Sequence, residues 1–198
     1  MNDHYYTREP KSASRRIRCA FSYRGNDLVF ETDAGVFSKG EVDTGTRLLL
    51  EALPEALSGD ILDLGCGWGV IGVAVKKTWP EARVTLGDVN LRALELARDN
   101  ARTNGAEVAC EESNGMAAFA GRRFDAVITN PPIRAGKQVI YRMFADVAKC
   151  LVSGGALYLV IRKQQGAESC VKYLETLYAK VERLDRSAGF WVLRAEKA

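Results

Sequence analysis

The stretch Gly59-Asp-Ile-Leu-Asp-Leu-Gly-Cys-Gly-Trp-Gly69 decides the fold of this chain. Its apolar residues, Ile61, Leu62 and Leu64, form a run of the length that a buried strand needs. Alternating glycines then interrupt the run, and residues 70–75 resume with side chains that suit a helix. The pattern predicts strand, turn and helix. That geometry brings backbone N–H groups and a helix N-terminus close to a ligand, and glycine leaves out the side chain that would hold the ligand away.

The glycine spacing is compatible with two classes of ligand. Gly67-x-Gly69-x-x-Gly72 matches the pattern by which dinucleotide-binding folds bring a helix N-terminus to a pyrophosphate. Asp63, however, stands two positions before Gly65, and its carboxylate would repel a phosphate and attract a cation. Asp63-x-Gly65-x-Gly67-x-Gly69 resembles motif I of the class I S-adenosylmethionine (SAM) methyltransferases. In that family the loop passes under the amino-acid end and the ribose of SAM. A glycine turn without a ligand is the structural alternative.

Length and composition indicate one globular domain. The chain has 198 residues, of which 47% are hydrophobic and 27% charged, and its net charge of +3 allows an RNA partner without arguing for one. Its five cysteines are scattered without a C-x-x-C pair and are interpreted as reduced thiols of a cytoplasmic protein. We expect neither a signal peptide nor a membrane span. Since His4 is the only histidine, a Ser-His pair or a histidine-built metal site is not expected.

The order of the patterns predicts an α/β fold. We expect a flexible basic leader over residues 1–16 and a single domain over residues 17–198, which begins with a hairpin within 17–40. A helix capped by Asp43 or Thr44 follows. Strands are then predicted at 61–64, 82–88, 106–110, 124–129 and 156–161, helices at 70–77, 90–104, 139–151 and 166–177, and a terminal hairpin at 179–184 and 190–194. Strands that alternate with helices indicate a doubly wound, mainly parallel, Rossmann-like sheet.

Polar residues follow four of the predicted strands. Because ligands collect at the carboxyl ends of parallel strands, we expect Asp63, Asp88, Asn114 and Asn130 to meet at one edge of the sheet. Asp88 suits the two hydroxyl groups of a ribose, which NAD and SAM share, although it could equally cap the next helix. Asn114 suits the amino group of an adenine, or is a plain turn residue.

The motif Asn130-Pro131-Pro132-Ile133 carries the chemistry. Two prolines fix φ and remove two N–H donors, so the rigid turn presents carbonyl oxygens. The side-chain oxygen of Asn130 and a proline carbonyl can accept both hydrogens of a planar amino group, which points the nitrogen lone pair at an electrophilic methyl group. Positioning then supplies most of the acceleration. A structural proline turn is the alternative.

Together these motifs resemble the "methyltransferase small" domain of the ribosomal RNA guanine-N2 methyltransferases. The resemblance rests on motif I and Asn130–Ile133, preceded by Asp33-Ala-Gly-Val-Phe-Ser38 and Asp43-x-Gly45-Thr46. It implies that Asn130–Ile133 receive the guanine amino group and that Asp43 and Thr46 approach the methionine end of SAM. It also implies that SAM is held by the residues of the strand ends, namely Asp63, Gly65, Cys66, Gly67, Asp88, Val89 and Asn114.

The substrate side of this site is predicted from fewer residues. The motif ends in Ile133, where adenine and glutamine methyltransferases carry an aromatic residue that stacks on the target. Phe37 is therefore our candidate stacking residue, with a core anchor as its alternative. Six basic residues are placed to contact RNA phosphates or to form a solvated charged face. They are Arg134, Lys137 and Arg142 after the proline turn and Arg15, Arg16 and Arg18 before the hairpin.

The resulting hypothesis is a SAM-dependent enzyme that methylates a guanine amino group in ribosomal RNA, with no metal and no membrane partner. Methylation of a protein glutamine or of a small-molecule amine is the alternative within enzymes. A dinucleotide-binding oxidoreductase ranks lower, since the chain has no Tyr-x-x-x-Lys pair. A non-catalytic RNA-binding domain is a third class. The sequence does not predict an oligomeric state.

Overall fold

The computed structural model of the chain describes residues 16–33 and 40–198. Most of the predicted leader, with Arg15, and the candidate stacking residue Phe37 lie outside the described residues. Arg16, the last residue of the predicted leader, forms ion pairs with Glu31 (3.2 Å) and Asp99 (3.3 Å). None of the helices in the described part of the chain is long and apolar enough to cross a membrane.

Nine strands and five helices form the described part of the chain. The strands are β1 (Ile17–Tyr23), β2 (Asn26–Thr32), β3 (Asp60–Leu64), β4 (Arg83–Asp88), β5 (Ala109–Glu112), β6 (Phe124–Thr129), β7 (Leu151–Arg162), β8 (Lys180–Ser187) and β9 (Phe190–Glu196). The α-helices are α1 (Thr44–Glu51), α2 (Val70–Thr78), α3 (Leu91–Thr103), α4 (Lys137–Cys150) and α5 (Ala167–Leu174). Short 3-10 turns occupy Ala117–Phe119, Ile133–Ala135 and Lys163–Gln165.

The main sheet has seven strands in the order β5-β4-β3-β6-β7-β9-β8. The first five pair in parallel, whereas β9 is antiparallel to both β7 and β8. Strands β1 and β2 form a separate antiparallel pair. The doubly wound, mainly parallel, Rossmann-like fold with a small N-terminal hairpin and an antiparallel C-terminal hairpin is therefore confirmed.

Helices cover both faces of the sheet at its central strands β3, β4, β6 and β7, so most residues of these strands are buried. Successive side chains point to opposite faces, so Ile61 packs into the core under α1, α2 and α3, while Leu62 packs into the core under α4 and α5. In β6, Ile128 and Val127 divide between the two cores in the same way.

The N-terminal hairpin is attached to the rest of the domain through its second strand, β2. Asn100 of α3 and Asn104, the C-cap of that helix, use their amide groups to pair with the backbone of β2. Asn104 accepts from the N–H of Val29 (2.9 Å) and donates to its carbonyl (2.8 Å), and Asn100 does the same at Glu31 (2.7 and 2.8 Å). Two side-chain amides thus take the place of a neighbouring strand and cover an edge that would otherwise expose unpaired groups.

Several predicted boundaries are wrong, and two of them concern strands of the parallel sheet. The third core strand lies at 109–112 instead of 106–110, because Ala106 belongs to the turn that follows α3, where its N–H bonds to the carbonyl of Ala101 (2.8 Å). The strand predicted at 156–161 is longer than expected, because β7 begins at Leu151 and includes Ser153-Gly154-Gly155. The pairing of β6 with β7 shifts register between Phe124 and Ala126, and glycines inside a strand commonly mark such irregularities.

Candidate functional site

A cavity of about 1530 Å³ opens at the carboxyl ends of the parallel strands. Most of the predicted site residues line it, as their placement at strand ends requires. These residues are Asp43, Thr46, Gly65, Cys66, Gly67, Asp88, Val89, Asn114, Asn130, Pro131, Pro132, Ile133 and Arg134. Asp63 and Lys137 are not among the lining residues. The tertiary structure therefore brings segments from Asp43 to Arg134 to one opening.

The glycine turn leaves free space on its cavity side. Gly65 and Gly67 have positive φ values of 72° and 54°, which favour glycine, and a Cβ atom built on either would meet nothing within 4 Å. The other side of the turn is anchored, because the N–H groups of Gly65 and Cys66 both bond to the carbonyl of Gly87 (2.8 and 3.0 Å). A fixed backbone with open space in front of it suits close approach by a ligand.

Asp63 lies behind this turn and is buried, with 1% of its surface exposed. One carboxylate oxygen accepts the N–H of Gly72 in α2 (2.8 Å), and the other, Oδ1, is buried with no hydrogen-bond partner among the described residues. Burial raises the pKa of Asp63 to about 7; the Gly72 N–H opposes the rise, and the nearby Asp88 adds to it. A buried carboxylate with an unpaired oxygen favours a cationic ligand over an anionic one.

Asp88 ties the turn to the end of β4. Its Oδ2 accepts the N–H of Gly67 and its Oδ1 accepts the N–H of Asn90, both at 2.8 Å. Burial raises its pKa, and these backbone bonds oppose that shift. The N-cap of α3 is Asn90, whose side chain accepts the N–H of Ala93 (3.2 Å). A carboxylate oxygen has more than one acceptor site, so both oxygens of Asp88 keep capacity for hydroxyl groups in the cavity.

The prolines form a tight turn after β6. Pro132 has φ −74° and ψ 78°, the values of an inverse γ-turn, and the N–H of Ile133 bonds to the carbonyl of Pro131 (2.8 Å). The carbonyl of Pro132 accepts the N–H of Ala135 (2.8 Å). Each proline carbonyl therefore has one acceptor site occupied and one remaining.

Asn130 is held from behind by α1. Its amide nitrogen lies 3.0 Å from the hydroxyl oxygen of Thr46, and 3.4 and 3.3 Å from the two carboxylate oxygens of Asp43. Asp43 is the N-cap of α1, as predicted, and accepts the N–H groups of Gly45 (3.0 Å) and Thr46 (3.3 Å). The end of β6 and the start of α1 are thus joined by side chains more than 80 positions apart in the chain.

The residues predicted to contact the substrate lie in different parts of the structure. Arg134 is at the cavity, whereas the ammonium group of Lys137 lies over the ring of Tyr141, 5.1 Å from its centroid. Arg16 and Arg18 bond to Glu31 on the hairpin and do not line the cavity. Phe37, as noted, is outside the described residues.

Arg162 and Phe190 are among the cavity residues that sequence reasoning missed. The guanidinium of Arg162 lies 4.5 Å from the centroid of the Phe190 ring. Arg162 is the last residue of β7, which is parallel to β6. The strand-end rule that located Asp63, Asp88 and Asn130 would have located Arg162 had it been applied to this fifth strand.

Within residues 16–33 and 40–198, no cluster of three or more His, Cys, Asp or Glu side chains is arranged to hold a metal ion.

The fold and the site define a class I methyltransferase: a doubly wound sheet with an Asp-x-Gly-x-Gly turn after its first core strand and an Asn-Pro-Pro turn at the same edge. The model of the methyltransferase small domain family matches residues 27–194, and the chain belongs to that family. S-adenosylmethionine is its cofactor. The open space before Gly65 and Gly67 and the unpaired buried oxygen of Asp63 fit this cationic ligand.

Several known proteins are similar to the chain over much of its length. An uncharacterised protein of Bacillus subtilis, YbxB, is 38% identical over 200 residues and covers all of both chains. The ribosomal RNA small subunit methyltransferase C of Hahella chejuensis is 44% identical over 65% of this chain and 39% of its own length. The ribosomal RNA large subunit methyltransferase G of Alcanivorax borkumensis is 39% identical over 82% of this chain and 43% of its own length.

Among solved structures, the Thermus thermophilus 16S rRNA N2 G1207 methyltransferase, in complex with AdoMet and guanosine, superposes with a TM-score of 0.82 at 29% identity. The match covers 96% of this chain and 52% of that protein. The chain thus spans about half, or less, of the length of the ribosomal RNA methyltransferases that it matches.

Proposed function

We propose that this chain transfers a methyl group from SAM to the exocyclic amino group of a guanine in ribosomal RNA. The observation that carries the proposal is the placement of Asn130 and Pro131 on the same cavity as the glycine turn. The names of its relatives, which include ribosomal RNA methyltransferases C and G, support RNA as the substrate.

The residues proposed to hold SAM lie on the cavity wall or, in the case of Asp63, behind it. Gly65 and Gly67 give the ligand access to the turn, Asp88 accepts ribose hydroxyl groups, Asn114 faces the adenine, and Asp63 contributes negative potential from behind. SAM supplies an electrophilic methyl group when bound. The protein's part is to hold the cofactor beside the Asn-Pro-Pro turn and to exclude other orientations.

The acceptor side needs two hydrogen-bond acceptors in a fixed arrangement. The side-chain oxygen of Asn130 and the remaining acceptor site of the Pro131 carbonyl take the two hydrogens of the guanine amino group. The nitrogen lone pair is then directed out of the plane of the base, toward the methyl donor. Because the nitrogen becomes acidic only as methylation proceeds, orientation contributes more than a strong base would.

The rim of the cavity carries positive charge that suits a polyanion. Arg134, Arg142 and Arg162 line the opening. A guanine within a duplex must be flipped out to reach the cavity, which costs on the order of a few kcal/mol. Phosphate contacts by these arginines offset part of that cost. The domain limits at residues 17–198 and a cytoplasmic location stay predictions.

The test is methyl transfer from radiolabelled SAM to an extract of a strain lacking the gene, fractionated into free ribosomal RNA, assembled subunits and protein. We expect label in ribosomal RNA, released on nucleoside digestion as N2-methylguanosine. Comparison of the modified nucleosides from strains with and without the gene then locates the position. Label in protein, or in a small amine, would replace the RNA proposal with the alternative that shares the same amino-group chemistry.

A further inference from the structure

On the α1 side of Asn130, the hydrogen bonds allow only one assignment of donors and acceptors. Besides its bond to Asn130, the hydroxyl of Thr46 donates to Asp43 at 2.5 Å. An ionised carboxylate has no hydrogen to donate, so every group that faces Asp43 must be a donor. The N–H groups of Gly45 and Thr46 and the Thr46 hydroxyl all meet this requirement.

The direction of these bonds determines the orientation of the Asn130 amide. With its only hydrogen directed at Asp43, the Thr46 oxygen can only accept from Asn130, and the Asp43 carboxylate can likewise only accept. Asn130 must therefore turn its NH2 group toward α1, and its carbonyl oxygen is left on the other edge of the amide group. A flipped amide would set its oxygen against the carboxylate and lose these hydrogen bonds.

We propose that Asp43 is a positioning residue that acts through Thr46 to lock the Asn130 amide with its oxygen toward the substrate. The lock makes the site select a target that donates hydrogen bonds, an amino group, and reject one that accepts them. This inference rests on the proposed function, since it assigns a purpose to the oxygen of Asn130.

Tight packing around the first turn of α1 holds Asp43 and Thr46 in place. A Cβ atom on Gly45 would lie 3.0 Å from Cε1 of Phe190 and 3.1 Å from Oδ1 of Asp43, closer than ordinary contact distance. Thr46 is buried, with 7% of its surface exposed. The lock therefore sits in a tightly packed region between α1, β6 and β9.

The variant Asp43→Asn tests the lock while it keeps the helix cap, because asparagine and aspartate cap helices equally well. The new amide can present either its oxygen or its nitrogen to Asn130, so the orientation of Asn130 is no longer dictated. We expect kcat to fall about 10- to 100-fold, the effect of losing one charge-assisted hydrogen bond. The thermal midpoint should stay close to wild type, because the helix cap is kept. Asp99→Asn, which removes a surface carboxylate of α3, is the control for charge alone.

A swapped pair gives the sharper test. Asn130→Asp alone sets two carboxylates about 3 Å apart and should lose at least 100-fold in kcat. In the double variant Asp43→Asn/Asn130→Asp, the amide at position 43 donates to the carboxylate at position 130, which restores one orientation and leaves an acceptor oxygen for the substrate. We expect at least tenfold recovery over Asn130→Asp. A role limited to capping α1 predicts no recovery, and that result would overturn the lock.

A readout without RNA separates this inference from the proposed function. In the wild-type protein the side-chain NH2 protons of Asn130, followed by NMR with 15N-labelled asparagine, should exchange slowly with water, and in Asp43→Asn they should exchange faster. Fast exchange in the wild type refutes the lock whether or not RNA is methylated. The NMR result and the labelling result are independent. If exchange is slow in the wild type and faster in Asp43→Asn, but label is transferred to protein instead of RNA, the role of Asp43 is supported and the RNA substrate is refuted.

Discussion

The carboxylate of Asp63 accepts a 2.8 Å hydrogen bond from the backbone N–H of Gly72, nine positions later in the chain. This bond joins the carboxyl end of β3 to the first turn of α2 across the glycine turn, while the other carboxylate oxygen stays buried without a hydrogen-bond partner among the described residues. Asp63 therefore lies directly behind the glycine turn on the cofactor side of the cavity. Burial raises the pKa of its carboxyl group to about 7.

The raised pKa of Asp63 predicts that SAM affinity depends on pH. Below pH 7 the carboxyl is mostly protonated and neutral; a cationic ligand favours the ionised form and so releases a proton on binding. We expect affinity to rise with pH between about 5.5 and 7.5, by up to about tenfold per pH unit on the acid side. Calorimetry in buffers of different ionisation enthalpy measures the affinity and the released proton. Asp63→Asn should flatten the profile, and a flat wild-type profile would contradict the assignment.

The same carboxyl has the opposite effect on the free protein. Because its folded pKa lies above its ordinary value of 3.8 in the unfolded chain, its contribution to the free energy of unfolding is fully present below that value and declines as pH rises to about 7. Urea unfolding of the wild type and Asp63→Asn without SAM, at pH 5 and pH 8, should show the wild type losing stability relative to the variant as pH increases.

Gly72→Ala should destabilise the protein although it replaces a glycine inside a helix. Alanine normally stabilises a helix interior by about 1 kcal/mol over glycine. Here the new Cβ would lie 2.8 Å from Cγ of Leu86 and 3.2 Å from Oδ2 of Asp63, so we expect a net loss of about 1–3 kcal/mol. Urea unfolding measures it. A gain in stability would show that the packing between α2 and β4 yields easily.

Asn130→Ala should abolish transfer and leave SAM binding nearly intact. The amide has its nitrogen bonded to Thr46 and Asp43, so its removal acts on the acceptor side of the cavity. We expect kcat to drop by about 10²- to 10³-fold, as for other single orienting groups, with the Kd for SAM within about twofold. Asn114→Ala, on the proposed adenine side, is the contrast and should weaken SAM binding more than turnover. Loss of SAM affinity with retained turnover in Asn130→Ala would refute its assignment.

Charge reversal at the rim should weaken RNA binding in a salt-dependent way. Arg134→Glu and Arg142→Glu each remove one proposed phosphate contact, which should lower the slope of log K against log salt by about one unit. SAM affinity should not change. Arg102→Glu, on the outer side of α3 where Arg102 pairs with Asp99 (3.2 Å), is the matched control. Equal losses of RNA affinity in all three variants would indicate a general effect of charge instead of RNA contacts at the rim of the cavity.

Most of the fold followed from local patterns. The apolar run before Gly65, the cap at Asp43 and the prolines after Asn130 each act over a few residues, so the sequence predicts them without knowledge of the rest of the chain. Two of the wrong boundaries, at β5 and at the start of β7, depend instead on pairing with β4 and β6. Strand register is set by partners distant in sequence, which no local pattern contains.

The sequence by itself determined the class of the protein, because the parallel sheet places its strand ends, and hence Asp63, Asp88 and Asn130, at one edge. Only the tertiary structure decided which side chains complete that edge. Phe190 and Arg162 reach the cavity from the last strands, and Asp43 meets Asn130 across 87 positions. Direct hydrogen bonds and packing act over a few ångströms in space, so contacts between distant segments exist only once the chain has folded.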